Sequence, residues 1–253
     1  MKYFEFGQEH PELMVMLHGG GVCYRGALPV AEEMAKIYHV VLVAYDGFNP
    51  DEPETEFKSV PDEARRLGDY IVEHYGGKID ILMDVLADDR LTITTTIADG
   101  MPTMDYADIK NPILQDIYIF FLTGFSYWLI GKAGPIRKKI VCKMMDRSEE
   151  SFDRIVYHDA TWQSWVNQDK CMIGRRRNFD LFKRTDMYIW HGIASSTEKK
   201  LAKHVKAWQD KGYAFTYKVF PNMGHGTLAG EHPQEFSKEV QAAHRCSLQK
   251  EKV

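Results

Sequence analysis

The N-terminal third of the chain alternates short apolar segments with amphipathic ones, and this alternation restricts the fold more than any other feature. Leu13–Leu17 and His39–Ala44 are apolar runs typical of buried parallel strands. Leu28–Ile37, between them, has the apolar spacing of a helix, and Ser59–Tyr75 has it again after the second run. A chain that alternates in this way is expected to form an α/β fold, with a doubly wound, mostly parallel sheet covered by helices on both faces.

Four further strands are predicted beyond residue 77: Lys78–Leu82, Thr92–Ala98, Met187–Trp190 and Ala214–Phe220. Between residues 101 and 177 the alternation stops, and the pattern becomes helical and aromatic. The sequence therefore predicts one core made of residues 1–100 and 178–253, with a helical insertion at 101–177. The last residues, 247–253, are expected to fray.

The composition excludes several classes of protein. The chain has 253 residues, 44% hydrophobic and 27% charged, which suits a globular domain with a sizeable core and rules out a disordered or fibrous protein. A net charge of −4 gives no reason to expect nucleic acid or an anionic membrane as a partner.

Four widely spaced cysteines predict neither a disulfide framework nor a metal site, and they favour a reducing compartment. The segment 1–7 lacks the apolar run of a signal peptide. We therefore expect a cytoplasmic protein.

The segment Ile117–Ile130 contains no charged residue. A membrane-spanning helix needs about 20 apolar residues, and this run is stopped by Asp116 on one side and by Gly131-Lys132 on the other. We predict that it forms a helix that is buried or covers a site, and that it does not span a membrane.

Two motifs point to chemistry. The first predicted strand runs directly into His18-Gly19-Gly20-Gly21, where glycines would let backbone N–H groups approach a ligand oxygen. Each such donor contributes roughly 2.7–4 kcal/mol when it binds a developing oxyanion. The last strand is followed by His225, which lies between two glycines and is a candidate general base. A plain glycine turn and a surface histidine are the alternatives.

Together these segments resemble the α/β-hydrolase fold family. LHGGG (17–21), VVLVAYDGF (40–48), IADG (97–100) and VFPNMGHG (219–226) match it in order and spacing, over nearly the whole chain. The resemblance implies a Ser-His-acid hydrolase of esters or related acyl compounds that uses no cofactor. It assigns the base to His225, the oxyanion donors to the backbone of Gly19, Gly20 and Gly21, and a lid to residues 101–177.

The chain departs from this family at the nucleophile. A G-x-S-x-G elbow is expected after the strand that ends at Leu82, but Met83–Leu91 contains no serine, cysteine or glycine. Asp84 is a candidate substitute, because carboxylates act as nucleophiles in some enzymes. A parallel crossover ordinarily needs at least about 10–12 residues. The short segment therefore predicts that roughly a dozen residues, including a serine directly after Met83, are missing. They are either omitted from this sequence or deleted from the protein.

The triad acid has two candidates. Glu198 follows the strand that ends near Gly192, although it lies three residues beyond the expected position and could instead be a solvated charge in the first turn of a helix. Asp99 ends a core strand at the edge where α/β sheets bind ligands, although it could simply turn the chain with Gly100. Either carboxylate could orient His225, and Glu198 is slightly preferred.

The sequence therefore leads to two hypotheses. The first is a serine hydrolase that cleaves a carboxylic ester or related acyl bond of a small, partly apolar substrate. The second is a catalytically inactive binding protein on the same scaffold, which has lost its nucleophile. The aromatic residues of the insertion favour an apolar group on the small-molecule ligand. The oligomeric state stays open.

Overall fold

A computed structural model describes residues 1–84, 86, 88–100, 111–173, 184–193 and 205–250. Its centre is a seven-stranded sheet in the order β1-β3-β2-β4-β5-β6-β7. The strands are β1 (Lys2–Phe6), β2 (Leu13–Met16), β3 (His39–Ala44), β4 (Lys78–Met83), β5 (Thr92–Asp99), β6 (Asp186–Gly192) and β7 (Thr216–Phe220). β1 pairs antiparallel with β3, and the other five pairings are parallel.

Helices cover both faces of this sheet. They are α1 (Leu28–Met34), α2 (Val60–Tyr75), α3 (Pro112–Ser126), α4 (Pro135–Met145), α5 (Glu149–Ile155), α6 (Trp162–Ile173), α7 (Thr227–Glu231) and α8 (Pro233–Lys250). α1 and α8 pack with one face of the sheet, and α2 packs with the other. The doubly wound α/β sheet predicted from the alternation is confirmed.

Strand β3 shows why an uninterrupted apolar run predicts a central strand. Val40, Leu42 and Ala44 join the core beneath α1 and α8, whereas Val41 and Val43 join the core beneath α2. Successive side chains of a strand point to opposite faces, so a strand covered on both faces must be apolar at every position.

Two expectations about the chain ends are corrected. β1 was absent from the predicted strands, because its residues alternate only weakly and it lies at the edge of the sheet. The C-terminal segment does not begin to fray at residue 247. Helix α8 continues to Lys250, Ser247 is buried, and its hydroxyl donates to the carboxylate of Asp186 at 2.9 Å.

The helix predicted at Ile117–Ile130 exists as α3 and a following π-helical turn at Tyr127–Gly131. Of the two alternatives given for it, burial and covering a site, burial is wrong. Ile119 and Thr123 are the buried residues of α3, while Phe121 is 69% exposed. By length and composition alone, residues 112–131 could cross a membrane, and only 11% of that apolar stretch is buried. Helices α3–α6 lie between β5 and β6, and the predicted limits of the insertion, 101 and 177, fall outside the described residues.

A very short link joins the parallel neighbours β4 and β5. Residues 84–91 connect them, and the described ones form no helix. Leu86 is 4% exposed and packs in the core beneath α2. Asp88 approaches α2 so closely that a Cβ added at Gly68 would lie 2.0 Å from its Oδ2 atom. The link therefore lies directly against α2, and Leu86 supplies apolar contact on that face.

We predict that Leu86→Ala lowers the free energy of unfolding by about 2–5 kcal/mol, because it removes a buried side chain that a rigid core cannot replace. Urea denaturation measures the change. Val72→Ala on α2 is the control, since Val72 is exposed and its truncation should cost less than about 0.5 kcal/mol. Equal effects of the two substitutions would show that the link does not pack as described.

Candidate active site

The carboxyl ends of the parallel strands bring the predicted site residues to one edge of the sheet. A cavity of about 400 Å³ lies there. It is lined by the glycine loop 19–21 after β2, by Asp84 after β4, by Asp99 at the end of β5 and by His225 beyond β7. The structure thus brings together every predicted site residue that it describes. Glu198 lies outside the described residues.

His18 fixes the start of the glycine loop. Its Nδ1 atom lies 3.2 Å from the carbonyl oxygen of Gly19, and its Nε2 atom accepts the backbone N–H of Tyr45 at 3.2 Å. Burial lowers the pKa of His18 to about 4. The ring is therefore neutral at pH 7, with its proton on Nδ1, and it ties the loop to the end of β3.

The three predicted backbone donors are not equivalent. The N–H of Gly21 donates to Oε1 of Gln168 at 3.0 Å, so a side chain already occupies that amide. Gly21 has a φ of +72°, and an added Cβ would lie 2.7 Å from the Trp165 ring, which makes glycine necessary there. Gly19 and Gly20 are exposed and line the cavity.

His225 lies beside the end of β5. Its ring packs on Gly100, where an added Cβ would be 2.6 Å from Cε1 and 2.8 Å from Nδ1. Gly100 also has a φ of +73°, so both backbone strain and lack of space exclude a side chain there. Because Asp99 directly precedes this glycine and lines the same cavity, the base candidate and one acid candidate are neighbours.

Asp84 has a strained backbone at the position expected for a nucleophile. Its φ is +77°, a backbone conformation that residues other than glycine rarely adopt. Its N–H donates to the carbonyl of Ile97 at 2.8 Å. Such strain commonly marks functional sites. The position expected for the nucleophile therefore has a strained backbone, and it carries a carboxylate in place of a hydroxyl.

Arg147 is a site residue that the sequence analysis missed. One guanidinium nitrogen donates to the backbone carbonyl of His225 at 3.2 Å, and the other donates to Oγ of Ser151 at 3.2 Å. Burial lowers the pKa of this arginine, while the carboxylates of Glu231 and Asp99 oppose the shift. An arginine stays protonated in proteins, so Arg147 places a positive charge beside the base candidate.

Glycines make room for that guanidinium. A Cβ added at Gly226 or at Gly230 would lie 3.1 Å from its terminal nitrogens. These two glycines are four residues apart, and they are the only feature of the sequence that could have indicated the contact with Arg147. Gln168 and Asp169 also line the cavity, but they belong to no motif that could be recognised in the sequence. Asp169 accepts a hydrogen bond from Thr123 at 2.7 Å, and burial raises its pKa.

Within the described parts of the chain, no group of three or more His, Cys, Asp or Glu side chains is placed to hold a metal ion. The described groups that line the site are an imidazole, carboxylates, backbone amides and one guanidinium.

Comparison with known structures identifies the architecture. An esterase from Thermogutta terrifontis superposes with a TM-score of 0.68 at 14% identity, covering 97% of this chain and 93% of that one. MenH from S. aureus superposes with a TM-score of 0.69 at 13% identity, covering 98% of each chain. The chain has the α/β-hydrolase fold. An esterase from Exiguobacterium antarcticum gives a TM-score of 0.65 at 14% identity, with coverage of 96% and 94%. Neither family models nor curated protein sequences match this chain.

In α/β-hydrolases, the oxyanion is bound by the N–H of the residue after the nucleophile and by an N–H from the loop between the third strand and the first helix of that fold. The residue after Asp84 lies outside the described residues. The glycine loop, which follows β2, is the candidate for the second of these donors.

We predict that His18 makes stability depend on pH. Its pKa of about 4 lies below the value of 6.5 expected in the unfolded chain, so unfolding takes up a proton between these values. Its contribution is fully present above pH 6.5 and is lost as the pH falls towards 4, by about 3 kcal/mol in total. Urea denaturation of wild type and His18→Asn at pH 4.5 and 7.5 measures this.

The informative quantity is the difference in unfolding free energy between wild type and His18→Asn at each pH. Burial raises the pKa of Glu63 to about 7, above its ordinary value of 4.5. The contribution of Glu63 to the free energy of unfolding therefore falls as the pH rises from about 4.5 to 7, whereas that of His18 rises. Glu63 is present in both proteins, so its effect cancels in the difference. A difference in unfolding free energy that stays constant between the two pH values would contradict the role given to His18.

Proposed function

We propose that this protein is a hydrolase that cleaves a carboxylic ester or related acyl bond of a small, partly apolar compound. The proposal rests on one observation, which is that the glycine loop 19–21, His225 and Asp99 line a single cavity at the carboxyl edge of the sheet. These residues supply an oxyanion site, a general base and a carboxylate to orient that base.

The rest of the cavity suits the apolar part of such a substrate. Helices of the insertion contribute apolar side chains to its wall, including Leu122, Ile130 and Phe152. A largely apolar pocket with a few converging polar groups is the usual form of a small-molecule site. In this proposal the insertion acts as a lid, and the glycine amides bind the substrate carbonyl at the polar end.

The attacking group is where this chain differs from the serine hydrolase that the resemblance implies. A serine directly after Met83 would attack the carbonyl and pass its proton to His225, but the residue there is Asp84. In the chain as it stands, we propose that His225 removes a proton from water as the water attacks the acyl carbon. The glycine amides then stabilise the charge that develops on the carbonyl oxygen. When this tetrahedral intermediate collapses, the bond from the acyl carbon to the leaving group breaks, and the protonated His225 donates its proton to the leaving group.

The second candidate is a binding protein that has lost its nucleophile, and two observations favour it. The link 84–91 is too short for the usual crossover helix, and Gln168 already occupies the amide of Gly21. Such a protein would hold the same class of ligand without turning it over. A cytoplasmic location is proposed for either function, since all four cysteines are free.

We expect the protein to hydrolyse p-nitrophenyl esters, with a dependence on acyl length that reflects the apolar wall. His225→Ala should lower kcat/KM on the order of 10²–10⁴-fold, because it removes the base. His74→Ala is the control, since that histidine is exposed on α2. If the protein does not hydrolyse these esters and octanoate raises its Tm, the second candidate, the binding protein, is favoured.

We expect Asp99→Asn to lower kcat/KM more than Glu198→Gln does, because Asp99 directly precedes the glycine on which the His225 ring packs. Losing the carboxylate that orients a catalytic histidine costs on the order of 10⁴-fold in serine proteases. A larger loss for Glu198→Gln would assign the role to Glu198 and would leave Asp99 as a turn residue.

Two measurements locate the nucleophile. An intact mass near 29.2 kDa for the protein from its natural source fits a deleted elbow, whereas about one kilodalton more fits a dozen omitted residues. In the 253-residue protein, a fluorophosphonate probe should label Asp84→Ser and leave wild type unlabelled, since only the variant has a serine on the strained turn. Equal labelling of both would place the reactive group elsewhere.

A further inference from the structure

The hairpin formed by α3, the π-helical turn and α4, residues 112–145, exposes far more apolar surface than the rest of the molecule. Of the 13 large hydrophobic side chains that are exposed among the described residues, all but Ile37 and Val72 belong to it. The exposed members are Ile113, Leu114, Ile117, Tyr118, Phe120, Phe121, Phe125, Trp128, Ile136, Ile140 and Met144. An exposed apolar surface of this extent marks an interaction site.

The charge of the hairpin is opposite to that of the chain as a whole. It contains five basic residues and one acidic residue, Asp116, whereas the whole chain has a net charge of −4. On α4 the apolar residues Ile136, Ile140 and Met144 follow one another at intervals of four. Lys139 and Lys143 are exposed beside them. This face therefore presents an apolar stripe flanked by positive charge.

We propose that the α3–α4 hairpin docks this protein onto the surface of an anionic lipid bilayer. Basic amphipathic helices with aromatic residues on the apolar face bind in this way, with the apolar side chains at the boundary of the headgroups and acyl chains. The lysines would lie at the level of the headgroups and pair with anionic lipids. The docking does not depend on the proposed hydrolase activity.

The opposite face of α3 is committed to the protein, and this favours docking over spanning. Ile119 and Thr123 are buried against the fold, and the Thr123 hydroxyl donates to Asp169 of α6 at 2.7 Å. If α3 crossed a bilayer, it would either lose these contacts or take Asp169 into the hydrocarbon. A helix that lies along the surface keeps them and buries only its exposed face.

Charge also favours a lipid surface over a second copy of this chain. In a symmetric dimer the same patch faces itself, which would bring Lys139 and Lys143 close to the same lysines of the partner. Like charges brought together at an interface are costly. An anionic bilayer instead satisfies the apolar stripe and the lysines at the same time.

Co-sedimentation of the full protein with vesicles tests this. Vesicles of phosphatidylglycerol and phosphatidylcholine should bind the protein about tenfold or more tightly than vesicles of phosphatidylcholine alone. Phe121→Asp/Ile136→Asp should abolish binding, and Lys139→Glu/Lys143→Glu should weaken it by about tenfold or more on the anionic vesicles. Val72→Asp and Lys206→Glu/Lys238→Glu make similar changes outside the hairpin and should leave binding unaltered.

Tryptophan fluorescence reports the location of the contact. Trp128 is 52% exposed, whereas Trp165, Trp190 and Trp208 are buried. Trp162 is half-buried and packs against Phe120 of the hairpin. A blue shift on adding anionic vesicles should therefore be much smaller in Trp128→Phe than in Trp208→Phe. Failure of wild type to bind anionic vesicles would overturn the proposal. A dimer in light scattering that becomes monomeric in Phe121→Asp/Ile136→Asp would also overturn it, and would assign the surface to a second copy.

Discussion

Parallel pairing of the strands from β3 to β7 is the constraint on which the rest of the molecule depends. Parallel strands in register begin at one edge of a sheet and end at the other, so every segment that follows a strand starts at the same edge. This is why a glycine loop after β2 and a histidine beyond β7, about 200 residues apart in the sequence, line one cavity. Backbone hydrogen bonds therefore assemble the site, and the side chains around it only refine its geometry.

The short link between β4 and β5 leaves the strand arrangement intact, but it changes which groups lie at the carboxyl edge of the sheet. Pairing of β4 with β5 needs only that the chain return to the opposite edge, and residues 84–91 are long enough to span that distance. A crossover helix would also have supplied a helix N-terminus at the nucleophile, whose free N–H groups and dipole stabilise negative charge. The described residues of the link contain no such helix, so the hydrolase proposed above relies on the glycine loop to stabilise the oxyanion.

The sequence predicted the parts of the structure that follow from periodicity and missed those that follow from tertiary contact. The central strands could be predicted because two-sided burial demands continuous apolar runs, and the bounds of β3 match the prediction. The places of His225 and the glycine loop followed from strand order. Arg147 could not be predicted, because its contact with the His225 carbonyl depends on where the turn between α4 and α5 meets the loop after β7. The exposure of α3 was missed because an apolar run reveals hydrophobicity but not whether the fold covers it.

Helix α3 and the π-helical turn after it lie between the cavity and the exposed apolar surface of the hairpin. Leu122, Ser126 and Ile130 line the cavity, while Phe121, Phe125 and Trp128 project to the exterior. A helix with its side chains is about 10–12 Å wide, so the cavity lies only one helix diameter from the exposed face. A ligand with an apolar tail would be most concentrated at such a face if a bilayer lay against it. The same helix would then hold the protein at the source of its ligand and form part of the wall that binds it, which explains why α3 is apolar around most of its circumference.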